Sequence, residues 1–268
     1  MAYEFLNYEK RGRIAYVTIN RPERLNALHP PASSELLAAF TEFRDDPDAW
    51  IAILTGTGDR AFSAGNDLRY TAERDRERGQ ERDRPASAAG RAVPFGGITS
   101  GFECWKPMIA AVNGYALGGG LELAMSCDVI VAADHAELGL PEPRVGFLAG
   151  AGGVHRLPRH IPHKLAMGMM LTGRRIKAQE ALQIGLVNEV VPLSELMPAA
   201  ERWAAEMLEC APLSLRASKQ MALQGLDWPF EIAHSRSYSE QQVHAASADR
   251  IEGPRAFAEK RKPNWTGS

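Results

Sequence analysis

Lys106-Pro-Met-Ile-Ala-Ala-Val-Asn-Gly-Tyr-Ala-Leu-Gly-Gly-Gly-Leu-Glu-Leu-Ala-Met125 is the most informative stretch of this 268-residue chain. Met108 to Val112 is a short unbroken apolar run stopped by Asn113-Gly114, the pattern of a buried strand. Leu121 to Met125 is short and helical in character, and Gly118-Gly-Gly120 leads into it. Asn113, Glu122 and the triple glycine interrupt the run from Met108 to Cys127 in a way a bilayer-spanning helix would not tolerate. Comparable segments flank it. Ile14-Ala-Tyr-Val-Thr-Ile19 reads as a strand stopped at Asn20-Arg-Pro22. Trp50 to Thr55 reads as a strand closed by Gly56-Thr-Gly58, and Asp128 to Ala133 as another. Between the first two, Ala32 to Phe43 carries Leu36, Leu37, Phe40 and Phe43 at helical spacing behind Pro30-Pro31. Strands alternating with helices predict an α/β core of mainly parallel strands.

Beyond about residue 160 the strand signal fades except at Leu186 to Val191, and helical patterns such as Leu196 to Leu208 and Leu213 to Leu223 take over. No Ser/Gly-rich linker separates the halves. The expectation is a single integrated domain, with a core over 1–195 and a helical region over 196–268. With 45% hydrophobic and 24% charged residues the composition is ordinary for a globular protein. The 31 basic and 33 acidic residues nearly cancel, so no global charge excess points to nucleic acid or an anionic membrane. The N-terminus lacks the apolar centre of a secretory signal. Cys104, Cys127 and Cys210 form no CxxC pair and read as thiols in a reducing compartment, which predicts a cytoplasmic location. Glu73 to Arg84, with five arginines and five acids, reads as an exposed salt-bridged helix or mobile loop, and Pro85 to Gly97 as flexible.

Several motifs fail on context. Ala61-Phe-Ser-Ala-Gly65 is a small-residue version of a nucleophile elbow, but no later acid and histidine complete it. Gly150-Ala-Gly-Gly153 has the wrong spacing for a dinucleotide fingerprint. There is no P-loop. His155, His160 and His163 cluster loosely without the spacing of metal ligands.

Two segments combine backbone freedom with turns: Phe62 to Leu68, and Gly118-Gly-Gly120 ahead of its helix. Amides at such a helix start can bind a developing oxyanion, although tight packing accounts equally for a triple glycine. Glu122 lies in the first turn of that helix within an apolar run, where it could also simply serve first-turn amides. Glu142 sits between Pro141 and Pro143 in a rigid loop, which could equally be an exposed turn. Two carboxylates beside amide donors suit a reaction that moves protons and water next to a carbonyl.

At these residues the chain resembles the crotonase, or enoyl-CoA hydratase/isomerase, superfamily. The resemblance spans nearly the whole chain: Asn20-Arg-Pro22, Asn26-Ala-Leu28, Ala61 to Leu68, Lys106 to Met125, Leu140-Pro-Glu142 and Gly150 to Leu157. It continues through Leu171-Thr-Gly173, Ala178 to Ala181, Gly185-Leu-Val187 and Glu252 to Arg261. It implies a ClpP-like α/β fold of repeated ββα units with a C-terminal helical trimerisation region, assembled as a homotrimer or a hexamer built as a dimer of trimers. It implies an acyl-CoA thioester substrate and no metal or redox cofactor. By this resemblance the oxyanion-hole amides are those of Asn66 and Gly119. Glu122 is implied as the base on water and Glu142 as the proton donor to the α carbon. Arg24, Arg69 and Lys260 fall where cations contact CoA, Lys260 reaching a neighbouring subunit's ligand. Ala64, Asp67, Leu68 and Gly118 complete the implied binding surface.

The glutamate pair implies reversible addition of water across a 2-enoyl-CoA, with a Δ3-Δ2 enoyl-CoA isomerase as an alternative. The loop at Leu140-Pro-Glu142, the segment Gly153-Val-His-Arg-Leu-Pro158 and the ending Glu252 to Trp265 are similar to the carnitinyl-CoA dehydratase branch. Asn66 departs from the small residue usual in short-chain hydratases, Ala149 from a usual proline, and Arg69 to Trp105 is longer and more charged.

Overall fold

The computed structural model describes residues 3–77 and 93–268. From the N-terminus come β1 (Leu6–Arg11), β2 (Ile14–Ile19), α1 (Pro30–Asp45), β3 (Ile51–Gly56), β4 (Ala61–Ser63) and α2 (Leu68–Glu77). After residue 92 follow β5 (Met108–Val112), β6 (Tyr115–Leu117), α3 (Gly119–Ala124), β7 (Val129–Ala133) and β8 (Glu137–Gly139). Then come α4 (Gly153–His160), α5 (His163–Thr172), β9 (Arg175–Lys177), α6 (Ala178–Gln183), β10 (Glu189–Val191) and α7 (Leu196–Leu208). The chain closes with α8 (Pro212–Gly225), α9 (Phe230–Ser235), α10 (Ser239–Ala245) and α11 (Asp249–Ala258). The charged segment is helical as far as Glu77; the rest of it and the first part of the expected flexible stretch lie outside the described residues.

The apolar runs build a six-stranded sheet in the order β1-β2-β3-β5-β7-β10. Only the β1–β2 edge pair is antiparallel. The unbroken hydrophobicity of β3, β5 and β7 has its reason here, because both faces of these strands are covered. Ala52, Leu54, Ala110 and Val112 face α1 and α3, with Leu36, Phe40, Phe43 and Leu121. Ile51, Ile53, Ile109, Val129 and Val131 face the other way, where Leu196, Ala199, Ala200 and Ala204 of α7 meet them. Fully burying such a side chain is worth about 1.5–3 kcal/mol.

A second sheet, ordered β4-β6-β8-β9, consists of strands three residues long. After each of β3, β5 and β7 the chain turns and adds a short strand to this sheet: β4, β6 and β8, paired in parallel. That is the repeated ββα unit implied by the family resemblance. Asparagines latch the turns. Asn113 Nδ2 donates to Gly56 O (2.8 Å) and Gly58 O (2.7 Å), and Asn26 Nδ2 donates to Ala61 O (2.7 Å). The short sheet presents the chemistry. Glu122 and Gly119 follow β6, Asn66 follows β4 and Glu142 follows β8.

Candidate active site

The site is built where β6 runs into α3. Gly118 precedes the helix with φ +55° and ψ −126°, a backbone that L side chains rarely adopt. The close approach of Glu142 adds a second demand, because a Cβ on Gly118 would lie 2.8 Å from Glu142 Oε1. Gly119 is the first residue of α3, so its amide belongs to the first turn that has no intrahelical acceptor. Beside it runs the loop after β4: a Cβ on Gly65 would lie 2.9 Å from the Gly119 nitrogen. The next residue is Asn66, whose amide has no hydrogen-bond partner among the described residues. Both expected oxyanion donors are thus on adjoining backbone segments.

Glu122, also in the first turn of α3, is 3% exposed. Its Oε1 accepts a 2.7 Å hydrogen bond from the Gly153 amide, so it does not cap its own helix. Burial pushes its carboxyl up to about 7, and the nearby Glu142 charge acts in the same direction. The Gly153 and Ala151 amides and the Arg156 charge act against that rise. Glu142 opens a short 3-10 turn, Glu142–Val145. It is partly buried, burial also raises its carboxyl, and the protein gives its buried Oε2 no partner. A solvated turn carboxylate would show none of this. Two carboxyls that burial raises, Glu122 to about 7, therefore adjoin two amides able to stabilise an oxyanion.

The other expected binding residues take varied places. Arg24 ends the turn Pro22–Arg24 and is exposed; its charge is felt at Asp67. Ala64 is tied down through its amide, which donates to Leu25 O (2.9 Å), and the Gly118 amide likewise donates to Gly139 O (2.8 Å). Leu68 and Arg69 begin α2 with exposed side chains. Asp67 is 6% exposed and turned into the fold. It accepts from Arg21 Nη2 (3.0 Å) and the Tyr70 amide (3.1 Å), so it anchors the loop carrying Asn66. Lys260 lies exposed after α11 with φ +54°, away from these loops in the chain order.

The sequence does not give the site contacts of Gly153, Phe95 and Arg21. Gly153 supplies the amide for Glu122; its place in Gly150-Ala-Gly-Gly153 is visible in the sequence, but its partner is not. A Cβ on Gly119 would lie 2.4 Å from a ring carbon of Phe95, which puts that ring against the oxyanion turn. The Arg21–Asp67 ion pair is buried, with side chains 11% and 7% exposed. Among the described residues no three His, Cys, Asp or Glu side chains are placed to hold a metal ion.

Residues 9–268 match the model of the enoyl-CoA hydratase/isomerase family, and the chain belongs to that family. Among individual relatives, the carnitinyl-CoA dehydratase of Citrobacter koseri is 42% identical over 268 residues, covering 98% of this chain and 99% of its own. The carnitinyl-CoA dehydratase of Escherichia coli O157:H7 matches to the same extent. Of the solved structures, a putative short chain enoyl-CoA hydratase from Novosphingobium aromaticivorans has a TM-score of 0.87 at 40% identity, covering 98% of each chain. An enoyl-CoA hydratase from Mycobacterium marinum has a TM-score of 0.88 at 36% identity, over 98% of this chain and 99% of that one. The crotonase-type α/β fold expected from the sequence is the fold found. Hydratase and dehydratase name the same water chemistry in opposite directions.

Proposed function

We propose that the protein is a hydro-lyase that reversibly adds water across the 2,3 double bond of an enoyl-CoA thioester. The observation that carries this is the pairing of two raised carboxyls, the buried Glu122 and the half-buried Glu142, with the amides of Asn66 and Gly119. In this reading the amides hold the thioester oxygen, which makes the β carbon electrophilic and stabilises the enolate that water addition produces. Glu122 takes the proton from water as it attacks, and Glu142 delivers a proton to the α carbon. Glu122, with a carboxyl near 7, can be ionised to accept that proton and can return it in the reverse direction. No step calls for a metal or redox group, and CoA is part of the substrate. Arg24, Arg69 and, across a subunit boundary, Lys260 are the cations offered to its phosphates.

A second, narrower reading is dehydration of carnitinyl-CoA, favoured by the 42% identity to enzymes of that name. A Δ3-Δ2 enoyl-CoA isomerase needs one proton shuttle rather than a pair and is the weaker fit. Assembly as a homotrimer, or a hexamer of two trimers, draws support from the C-terminal helices. Leu226, Phe230, Ile251 and Phe257 there are 69–88% exposed, apolar side chains that a subunit interface would cover. In this reading 196–268 is the assembly region of a single domain whose core is 1–195. A cytoplasmic location rests on three free thiols. No helix among the described residues is long and apolar enough to cross a membrane.

The test is loss of the conjugated enoyl-thioester absorbance with crotonyl-CoA, decenoyl-CoA and crotonobetainyl-CoA. Glu122→Gln and Glu142→Gln should each cut turnover by about 10²–10⁴-fold. Full hydration by either variant would overturn the paired mechanism. The preferred acyl group decides between the two readings.

A further inference from the structure

One guanidinium touches both halves of this site without facing a reacting atom. Arg156, on the first turns of α4, is half-buried. Its Nη2 donates to Thr99 O (2.8 Å) and its Nη1 to Ala151 O (3.3 Å). Each acceptor leads to a different part of the chemistry. Ala151 lies two residues before Gly153, whose amide grips Glu122 Oε1 at 2.7 Å. Thr99 closes the turn that places Phe95: its Oγ1 donates to Phe95 O (2.7 Å), and the Phe95 ring lies against Gly119. Thr99 is 2% exposed, so its carbonyl has little recourse to water if the guanidinium is removed. The two bonds leave in a fixed fork from one planar group, which a flexible ammonium cannot reproduce.

We infer that Arg156 is a positioning residue that clamps the Ala151–Gly153 loop, which grips Glu122, to the Phe95 turn, and so fixes the Glu122 carboxyl relative to the oxyanion-hole amide of Gly119. The inference rests on the hydro-lyase reading above and deepens it. A carboxylate and an oxyanion donor must keep a common frame for water to attack a polarised double bond, and an error of about 1 Å can cost about 10²-fold. The clamp spans segments far apart in sequence, 99 and 151, that no other side-chain hydrogen bond among the described residues joins.

The same residue has an electrostatic signature that a purely structural role lacks. Charged and titratable groups acting on Glu122 come from two elements: Glu142 from its 3-10 turn raises it, and Arg156 from α4 lowers it. Cys127 and His160 also feel the Arg156 charge. Removing that charge should move the acidic limb of kcat/KM to higher pH.

The experiment compares Arg156→Met and Arg156→Lys with the unaltered protein. Arg156→Met should lower kcat by about 10–100-fold with little change in KM, and shift the acidic limb upward. Arg156→Lys keeps the charge and loses the fork, so it should lose turnover while the limb stays in place. A bound, slowly reacting conjugated enoyl-CoA provides a readout independent of turnover, because polarisation of its carbonyl reddens its absorbance. Both variants should reduce that red shift at saturation. Wild-type kcat, limb and red shift in both variants would overturn the inference while the unaltered enzyme still hydrates. Loss in proportion to loss of folded protein, with limb and red shift unmoved, would overturn it too. Should Arg156→Met not fold, Arg156→Lys alone decides, through its kcat and red shift. Absence of hydration and of any red shift in the unaltered protein would instead strike the hydro-lyase reading.

Discussion

The two sheets of this protein divide its labour. The six-stranded sheet has strands of five or six residues over most of its width, covered on both faces by helices. The side chains of its inner strands β3, β5 and β7 are mostly aliphatic and contribute chiefly through burial. The four-stranded sheet is made of three-residue strands that could not persist on their own. It leads into Asn66, Gly118, Gly119, Glu122 and Glu142, with a strained glycine, one buried and one half-buried carboxyl, and an unpartnered Oε2. Stability is concentrated in one layer, and unfavourable local choices needed for chemistry are concentrated in the other. The difference teaches that the large sheet is what keeps the small one in place.

That division can be broken by two substitutions. Ile109 on β5 is fully buried against α7, on the face turned away from α3. Ile109→Ala should cost about 2–5 kcal/mol of stability in urea unfolding, while turnover per folded molecule stays near wild type. Gly118→Ala should do the reverse. A Cβ there meets Glu142 Oε1 and a backbone at φ +55°, so the Gly119 amide and the Glu142 carboxyl both shift. Turnover should fall by about 10²–10³-fold, the loss typical of one misplaced oxyanion donor. The accompanying loss of stability should be about 1–3 kcal/mol. If Ile109→Ala lost activity in step with the glycine variant, the two layers would not be separable.

The same contrast governs what the sequence reveals. Ile14 to Ile19, Met108 to Val112 and Leu196 to Leu208 are read with those bounds, because burial on a regular element leaves a period or an unbroken run. β4, β6, β8 and β9 leave none: three residues are fewer than any pattern needs, and β1 is masked by its exposed Glu9, Lys10 and Arg11. At the site, Glu122 stands out as a charge inside an apolar run, and Glu142 by its flanking prolines. The Gly153 amide, the Phe95 ring and the Arg156 fork are contacts between segments distant in sequence, and composition does not mark them. Asp67 shows the converse, since its motif suggested ligand binding and its carboxylate faces Arg21. Both uses require an acid at that position, so its identity alone could not separate them.

The subtlest consequence of the division concerns pH. Glu122 has a carboxyl raised from 4.5 to about 7 by burial. Between those values the folded protein holds a proton that the unfolded chain releases, so the folded state binds more protons and loses stability as pH rises. The stabilising contribution is complete below about 4.5 and is lost as pH passes through about 7. Glu142, raised in the same direction, adds to this slope. Asp67, lowered by the Tyr70 amide and Arg21, opposes it only at acid pH, where its carboxylate becomes protonated. Glu122→Gln removes the titrating group and keeps its shape. Unfolding midpoints measured from about pH 5 to about pH 8 should therefore diverge, with wild type losing roughly 2 kcal/mol relative to Glu122→Gln. Ile109→Ala should instead run parallel to wild type, since a cavity in the large sheet is indifferent to protons. Parallel curves for Glu122→Gln would mean that the carboxyl is not held neutral by its surroundings, and the small sheet would then carry no electrostatic cost for its chemistry.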